Sequence, residues 1–581
     1  MSSTMTDQPL QSNLSATIEA LLSDDVGHDE FALRVFNLSY EKTKAADPEL
    51  AEAMRYCAIP DRFDAEIIGV LRGAPKAYKK NQRLLEAIKS FQFVLTRKDG
   101  HYVYHDNTRD ALLKEWKSAG NAEQFKLLKQ RLVSFYREKG QQRHLQRRYR
   151  AALADYNRAL KLAPGDGGLH HTLGVIHFQL DDYKAAISNL DVAIKSEPDN
   201  SLNYELRGMA HTHLQMYDEA ISDLTRAIKL EPKAKFSYYW RGVAHYETQK
   251  YKKALADLNK SIELKPHFSM EYCQRGATLF ELKDAKAALS DLAKAIRLSP
   301  EAALPYQLRG AILYRMRGFE AALTDFTKAI QLEPRKGIHY HWRGTTYYQL
   351  EDYKKALRDL NKAIKLGPER GLDYHWRGAV YVQLSENEKG LSDLSKAIEL
   401  GFGESINYYW RGIAHYQLQD YKKALADFAK AVELEPNISH VYYWRGLTYL
   451  STHEYSAAFQ DLKNACKLDA EKRHPTFWRG VANHFSGSIR RAQSDWDRAA
   501  LPAEGESDAR ERYRVLAKVA LINARQDEAR KHYGRAFKRA RRSKMSVEYS
   551  YLELLVRLFP SRDDIREVKN WFSSSLLKKK A

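Results

Sequence analysis

Small and apolar residues recur along this chain with a period too long for one helix and too regular for a set of unrelated domains. Glycine stands at 174, 208, 242, 276, 310, 344, 378, 412, 446 and 480, always 34 residues apart. With that glycine as position 8 of a repeat, position 20 is small throughout, from Ala186 through Gly390 to Ala492. Position 24 is always large, from Leu190 through Phe326 and Phe428 to Trp496. Position 32 is proline from Pro198 to Pro368 and again at Pro436, with departures at Phe402, Ala470 and Glu504. The pattern predicts two antiparallel helices per repeat. Small residues at 8 and 20 let the helices approach, the large residue at 24 fills the space beside them, and proline stops the second helix. A lone helix pair cannot bury both of its faces, so the pairs must stack into a core that runs in one dimension. A degenerate further repeat precedes the ten, with Gly140, Ala152, Tyr156, Ala159 and Pro164 in register.

These residues resemble the tetratricopeptide repeat family, whose pattern has an aromatic at 4, glycine or alanine at 8, an aromatic at 11, alanine at 20 and 27, and proline at 32. The resemblance implies an all-α solenoid of ten to eleven helix pairs over residues 133–506, clearest from 167. Comparison among the repeats adds a correlation that the family pattern lacks. Position 7 is arginine in nine repeats, Arg207 to Arg479, and position 23 is aspartate in the same nine, Asp223 to Asp495. The repeat with Leu173 at position 7 has Asn189 at position 23. We therefore expect an internal ladder of ion pairs instead of a basic stripe open to a polyanion, each pair worth about 0.2 to 1 kcal/mol if partly exposed.

The resemblance also implies that the first helix of each pair lines a concave surface, where positions 2, 5, 6, 9 and 12 meet a ligand. Those positions are rich in aromatics here: Tyr239 and Trp240, His341 and Trp342, His375 and Trp376, Tyr409 and Trp410, Tyr443 and Trp444 fill positions 5 and 6. They are the candidate residues for holding a protein or peptide partner by stacking and cation–π contact. The competing reading has each position-6 tryptophan packing sideways against the next repeat. Position 2 is apolar (Leu202, Phe236, Met270, Leu304) where chaperone-binding members carry a carboxylate clamp, so a chaperone C-terminus is not the expected ligand. His177, His211, His245 and His415 at position 11 lie too far apart to share a metal and are read as interior residues.

The flanks differ from the array. Residues 1–30 read as a tail or short helix, and residues 31–130 as helical stretches around 48–58, 63–71 and 78–91, then a hairpin with an Asp99-Gly100 turn. Three helices and a two-stranded wing resemble a winged-helix domain. The phrases LRVFNLSYEKT, RFDAEIIGVLRG and DGHYVYHDNTRDALLKEW resemble the winged helix of STAND-type signalling ATPases. In that family a His-Asp pair, matched by His105 and Asp106, helps hold nucleotide. No GxxxxGK[ST] loop accompanies it, so we read His105 as structural and expect Asp106 or Asn107 to cap the helix through Trp116. The roles open to this region are docking a partner ATPase, capping the solenoid, or contacting DNA. Residues 507–581 read as a basic helical cap. Its run Arg530 to Lys544 offers Arg535, Lys538, Arg539, Arg541 and Arg542 as candidates for nucleic acid or another anion, against the reading of a solvated helix face.

Composition narrows the picture. The 581 residues are 44% hydrophobic and 29% charged, with no run of about 18 apolar residues to span a bilayer. The first 25 residues carry no basic start and apolar stretch, so a cytoplasmic protein is expected. Cys57, Cys273 and Cys466 are widely spaced and fit reduced, packed thiols. The net charge of +20 favours acidic partners at long range. No HExxH, GxSxG or phosphate-binding loop occurs, so no catalytic residue, metal or cofactor is expected. The expected function is a protein–protein interaction scaffold, with a nucleic-acid-associated regulator as the alternative.

Overall fold

A computed structural model of the protein describes residues 28–578 apart from 92, 119, 265–266, 470–472, 501–505, 523–525 and 538–541. It falls into two compact units, residues 1–267 and 268–581. The 34-residue step becomes an alternation of a 13-residue helix A and a 14-residue helix B, as in Gly337–Gln349 followed by Tyr353–Leu366. The position-24 side chains Leu224, Leu292, Phe326, Leu360 and Phe428 are fully buried, as are the position-20 and position-27 alanines around them. The glycine at position 8 is needed because a Cβ there would lie 2.7 Å from the Phe326 ring at Gly310 and 2.6 Å from Leu224 at Gly208.

The turn between helices A and B carries no glycine signal in the sequence of ten repeats. Position 15 is left-handed in ten repeats although none has glycine there: Arg147, Asp181, Gln215, Gln249, Lys283, Arg317, Glu351, Ser385, Gln419 and His453 all have φ between 57° and 69°. In each, two backbone bonds close the end of helix A, as where Gln215 N–H donates to the Thr212 carbonyl and Met216 N–H to the His211 carbonyl. These bonds offset the cost of a non-glycine residue in that region, about 1 to 2 kcal/mol. The departure at Phe402 has its own stop. Helix Asn387–Glu399 ends one residue early, Gly401 takes φ 84°, and Phe402 N–H donates back to the Ala397 carbonyl. The departures at Ala470 and Glu504 lie outside the described residues.

Within the first unit, helices His28–Ala46, Pro48–Tyr56, Ala65–Leu71 and Tyr78–Lys89 precede an antiparallel hairpin, Val94–Thr96 with Tyr102–Tyr104, and helix Asp106–Trp116. The helix through Trp116 starts at Asp106 with His105 at its cap and no side-chain bond, so neither Asp106 nor Asn107 caps it as expected. Asp106 instead sits in the first turn, where its charge favours the helix dipole. Phe36, Met54, Phe63, Phe93, Tyr104 and Trp116 form one apolar cluster with Leu132 and with Tyr136 and Tyr156 of the degenerate repeat. Two basic residues of helix Ala122–Leu145 serve this junction: Arg131 donates to the Leu71 carbonyl at 2.7 Å, and Lys139 pairs with Glu66.

In the second unit the array is followed by helices Glu506–Ile522, Gln526–Phe537, Arg542–Leu558 and Asp563–Lys578. Among the described residues no helix is long and apolar enough to cross a membrane. Close approach also governs how the start of helix A meets the end of helix B within a repeat. A Cβ on Gly337 would stand 2.7 Å from the Ala363 carbonyl oxygen and 2.9 Å from the Gly367 nitrogen, both backbone atoms that cannot turn aside. Gly337→Ala is expected to cost about 1 to 3 kcal/mol in a denaturant titration, more than Gly318→Ala, whose nearest neighbour would be 3.4 Å away.

Candidate protein-binding groove

Helix A of each repeat carries two neighbouring rows with different fates. Position 5 points into the stack. Tyr239, His341, His375 and Tyr443 are buried, at 3 to 8% exposure, and cannot meet a ligand as expected. The reason is a polar link between successive repeats, from position 5 to position 3 of the next. His341 Nδ1 lies 2.5 Å from buried Asp373, which Arg370 also holds at 2.8 Å. His375 Nδ1 donates to Asn407 Oδ1 at 3.0 Å, a tautomer set because the Asn407 amide nitrogen is engaged with the Leu394 carbonyl. His171 with Asn203, and Glu205 with Ser237, make the same link in the first unit. Tyr409 is half-buried and lies edge-on to His440 at 4.5 Å.

Position 6 lies at the surface of the stack. Trp240, Trp342, Trp376 and Trp410 are partly exposed. Each of three tryptophans packs sideways, against the preceding repeat: Tyr314 meets Trp342 at 5.8 Å, Tyr348 meets Trp376 at 5.2 Å, and Tyr416 meets Trp444 at 5.4 Å. In the first unit His213 does the same for Trp240 at 5.1 Å. The row is thus partly structural and partly free. Tyr348 also reaches Trp410, two repeats on, at 6.5 Å.

At the far end of that surface the row is covered. Trp444 is 9% exposed and Trp478 is fully buried, because Tyr551 of helix Arg542–Leu558 stands among Tyr443, Trp444 and Trp478, with ring centroids at 6.4, 6.4 and 5.8 Å. Of the candidates in the run Arg530 to Lys544, only Arg535 has a described side chain. Arg535 lies over Tyr513 at 5.6 Å, while Lys538, Arg539 and Arg541 lie outside the described residues, as does the side chain of Arg542.

The arginine row is internal. All nine position-7 arginines make two-pronged bonds to their position-23 aspartates, for example Arg377 Nε to Asp393 Oδ2 at 2.6 Å and Nη2 to Oδ1 at 2.7 Å. Eight of the nine guanidinium groups also lie over the position-4 tyrosine one turn back, at 5.3 to 6.0 Å. The free arm of Arg377 crosses to Asn361 of the preceding repeat at 2.8 Å, and that of Arg241 to Thr225 at 3.1 Å. Of the position-11 histidines, His211 joins the ladder, its Nδ1 lying 3.1 Å from Asp223, whereas His245 and His415 stand 3.9 Å from Asp257 and Asp427 and His177 lies beside Asp182 instead.

Models described as "Tetratricopeptide repeat" match residues 144–209, 203–233, 236–268, 272–301, 340–370, 406–438 and 439–472. These are tetratricopeptide repeats. No curated protein matches the chain. Solved structures resemble it in part. YrrB, titled a TPR protein with an unusual peptide-binding site, is 27% identical and covers 32% of this chain and 95% of its own, with a TM-score of 0.28. A tetratricopeptide repeat protein from Parabacteroides merdae is 20% identical and covers 43% and 98%, TM-score 0.36. The APC/C hetero-tetramer Cut9–Hcn1 is 14% identical and covers 66% and 96%, TM-score 0.38.

Burial of histidines in the tetratricopeptide array sets a pH dependence. Burial pushes His375 down to about 4, partly opposed by its bond to Asn407, and burial with the nearby Lys518 and Arg514 charges pushes His474 well below the usual range. The unfolded chain therefore takes up protons that the folded chain refuses, so stability falls as pH drops from about 6.5 toward 4. Each such histidine contributes a slope of at most about 1.4 kcal/mol per pH unit. Urea midpoints measured across this window should decline with acid, and His375→Gln should flatten the decline.

Proposed function

We propose that the protein is a cytoplasmic tetratricopeptide scaffold that holds a segment of a protein partner against the partly exposed tryptophan row Trp342, Trp376 and Trp410. The repeat class supports protein–protein interaction. The observation that carries the finer reading is the contrast along one row: the same repeat position is covered by the chain's own helix at Trp444 and Trp478 and open at Trp342, Trp376 and Trp410. A tryptophan left partly exposed at three successive repeats supplies area, flatness and a single N–H donor, the properties found at interaction hot spots. The shared core with Tyr136 and Tyr156 favours a capping role for the N-terminal helices and hairpin. Their resemblance to the winged helix of STAND-type ATPases makes an accessory subunit in such a system the context we favour.

Affinity capture from native lysate tests this reading, comparing the full chain with Trp376→Ala and Trp410→Ala variants whose folding is checked by circular dichroism. The expected result is loss of one specific protein in both variants. Unchanged recovery of every captured protein would refute it.

A further inference from the structure

Building on the groove reading above, we infer that the segment held against Trp342, Trp376 and Trp410 is an amphipathic helix with an aromatic anchor, and that helix Arg542–Leu558 shows the mode of binding. That helix is an internal ligand of the same surface. Tyr551 enters among the rings of Tyr443, Trp444 and Trp478, and Leu554, Leu555 and Leu558 are buried on the same stripe. The spacing is i, i+3, i+4 and i+7, one face of an α-helix. Polar groups also hold it: Glu548 meets Lys518 at 2.7 Å and Arg514 at 2.8 Å on helix Glu506–Ile522, and Arg557 donates to the Tyr421 hydroxyl.

The occupied and open stretches are continuous. The apolar cluster that takes in Tyr551, Leu554 and Leu555 extends to Trp410 as a flanking member, and Tyr348 connects Trp410 to Trp376. The open stretch also excludes charged ligands by its chemistry. Across helices Gly337–Gln349, Gly371–Gln383 and Ser405–Gln417, positions 2, 5, 6, 9, 12 and 13 carry no lysine, arginine, aspartate or glutamate. A peptide terminus or a phosphate would lose its hydration there and find no counter-charge. An apolar helix face loses little, and its backbone bonds are already satisfied internally. Gln349, exposed beside the row and bonded to the Tyr314 hydroxyl at 3.2 Å, marks the polar rim such a helix would meet.

The test uses a synthetic peptide copying residues 542–559, a version with Tyr549 and Glu553 replaced by proline, and the full chain. Binding is read by tryptophan fluorescence and calorimetry. The intact peptide is expected to bind, the proline version about tenfold or more weaker, and Trp376→Ala and Gln349→Glu proteins each about tenfold or more weaker for the intact peptide. Gln349→Glu places a charge at an exposed position and so keeps the test valid if Trp376→Ala disturbs the fold. Equal affinity for both peptides would overturn the helical ligand while leaving the groove standing. Absence of binding, or binding untouched by both protein variants, would overturn the inference, and the capture experiment then decides separately whether the groove reading survives.

Discussion

Replacing Glu548 by glutamine is expected to lower the stability of the second unit by about 3 to 5 kcal/mol. Glu548 and Lys518 are both fully buried and lie 2.7 Å apart, with Arg514 at 2.8 Å and the Tyr533 hydroxyl at 3.2 Å completing the carboxylate's partners. Glutamine keeps the shape and removes the charge, which leaves Lys518 in the interior beside Arg514 with no anion. The same arrangement sets a pH response. Burial alone would raise the Glu548 carboxyl, but the Lys518 and Arg514 charges outweigh it and hold the group below the usual carboxylate range. Its contribution is therefore present above the unfolded value of about 4.3 and lost as pH falls through the lower folded one. Guanidinium unfolding followed by near-ultraviolet circular dichroism reads both effects. Because Glu548 lies three residues before Tyr551, the variant should also raise the exposure of Trp444, seen as a red shift in its emission.

The second large effect belongs to the arginine ladder. Arg411→Ala should cost about 3 kcal/mol, well above the value expected from a surface ion pair. Asp427 is only 6% exposed and accepts Arg411 Nε at 2.9 Å and Nη2 at 2.6 Å, so truncating the arginine strands a carboxylate that water barely reaches. Arg411 also loses its stacking on Tyr408 at 5.4 Å. The double variant Arg411→Ala, Asp427→Ala should be less damaging than the sum of the singles by about 1 to 2 kcal/mol, because no unpaired charge remains. A cycle in which the singles simply add would mean that the pair contributes nothing beyond packing.

Much of the architecture can be read from the chain because it follows from size and shape alone. A glycine at position 8 of each repeat is required by a leucine, phenylalanine or tryptophan side chain within 3.1 Å of where its Cβ would be, and that demand leaves a trace in sequence. The arginine–aspartate ladder is legible for a related reason: two residue types that vary together in nine repeats and fail together at Leu173 and Asn189 must face each other. The left-handed turn at position 15 leaves no such trace, since its cost is met by backbone bonds open to any residue and only Gly487 shows the usual preference. The division of the aromatic rows was also hidden. Tyrosine, histidine and tryptophan suit an interior and a groove equally, and what separates position 5 from position 6 is the partner at position 3 of the next repeat, such as Asp373 or Asn407. The seating of helix Arg542–Leu558 depends on contacts more than a hundred residues away in sequence, which local periodicity cannot report.

Fluorine NMR of the 5-fluorotryptophan-labelled full chain, titrated with the captured partner, tests the central claim most directly. The account predicts that the resonances of Trp342, Trp376 and Trp410 shift or broaden while those of Trp116 and Trp496, both buried, stay in place. A bound partner that leaves all three row resonances unmoved would contradict it.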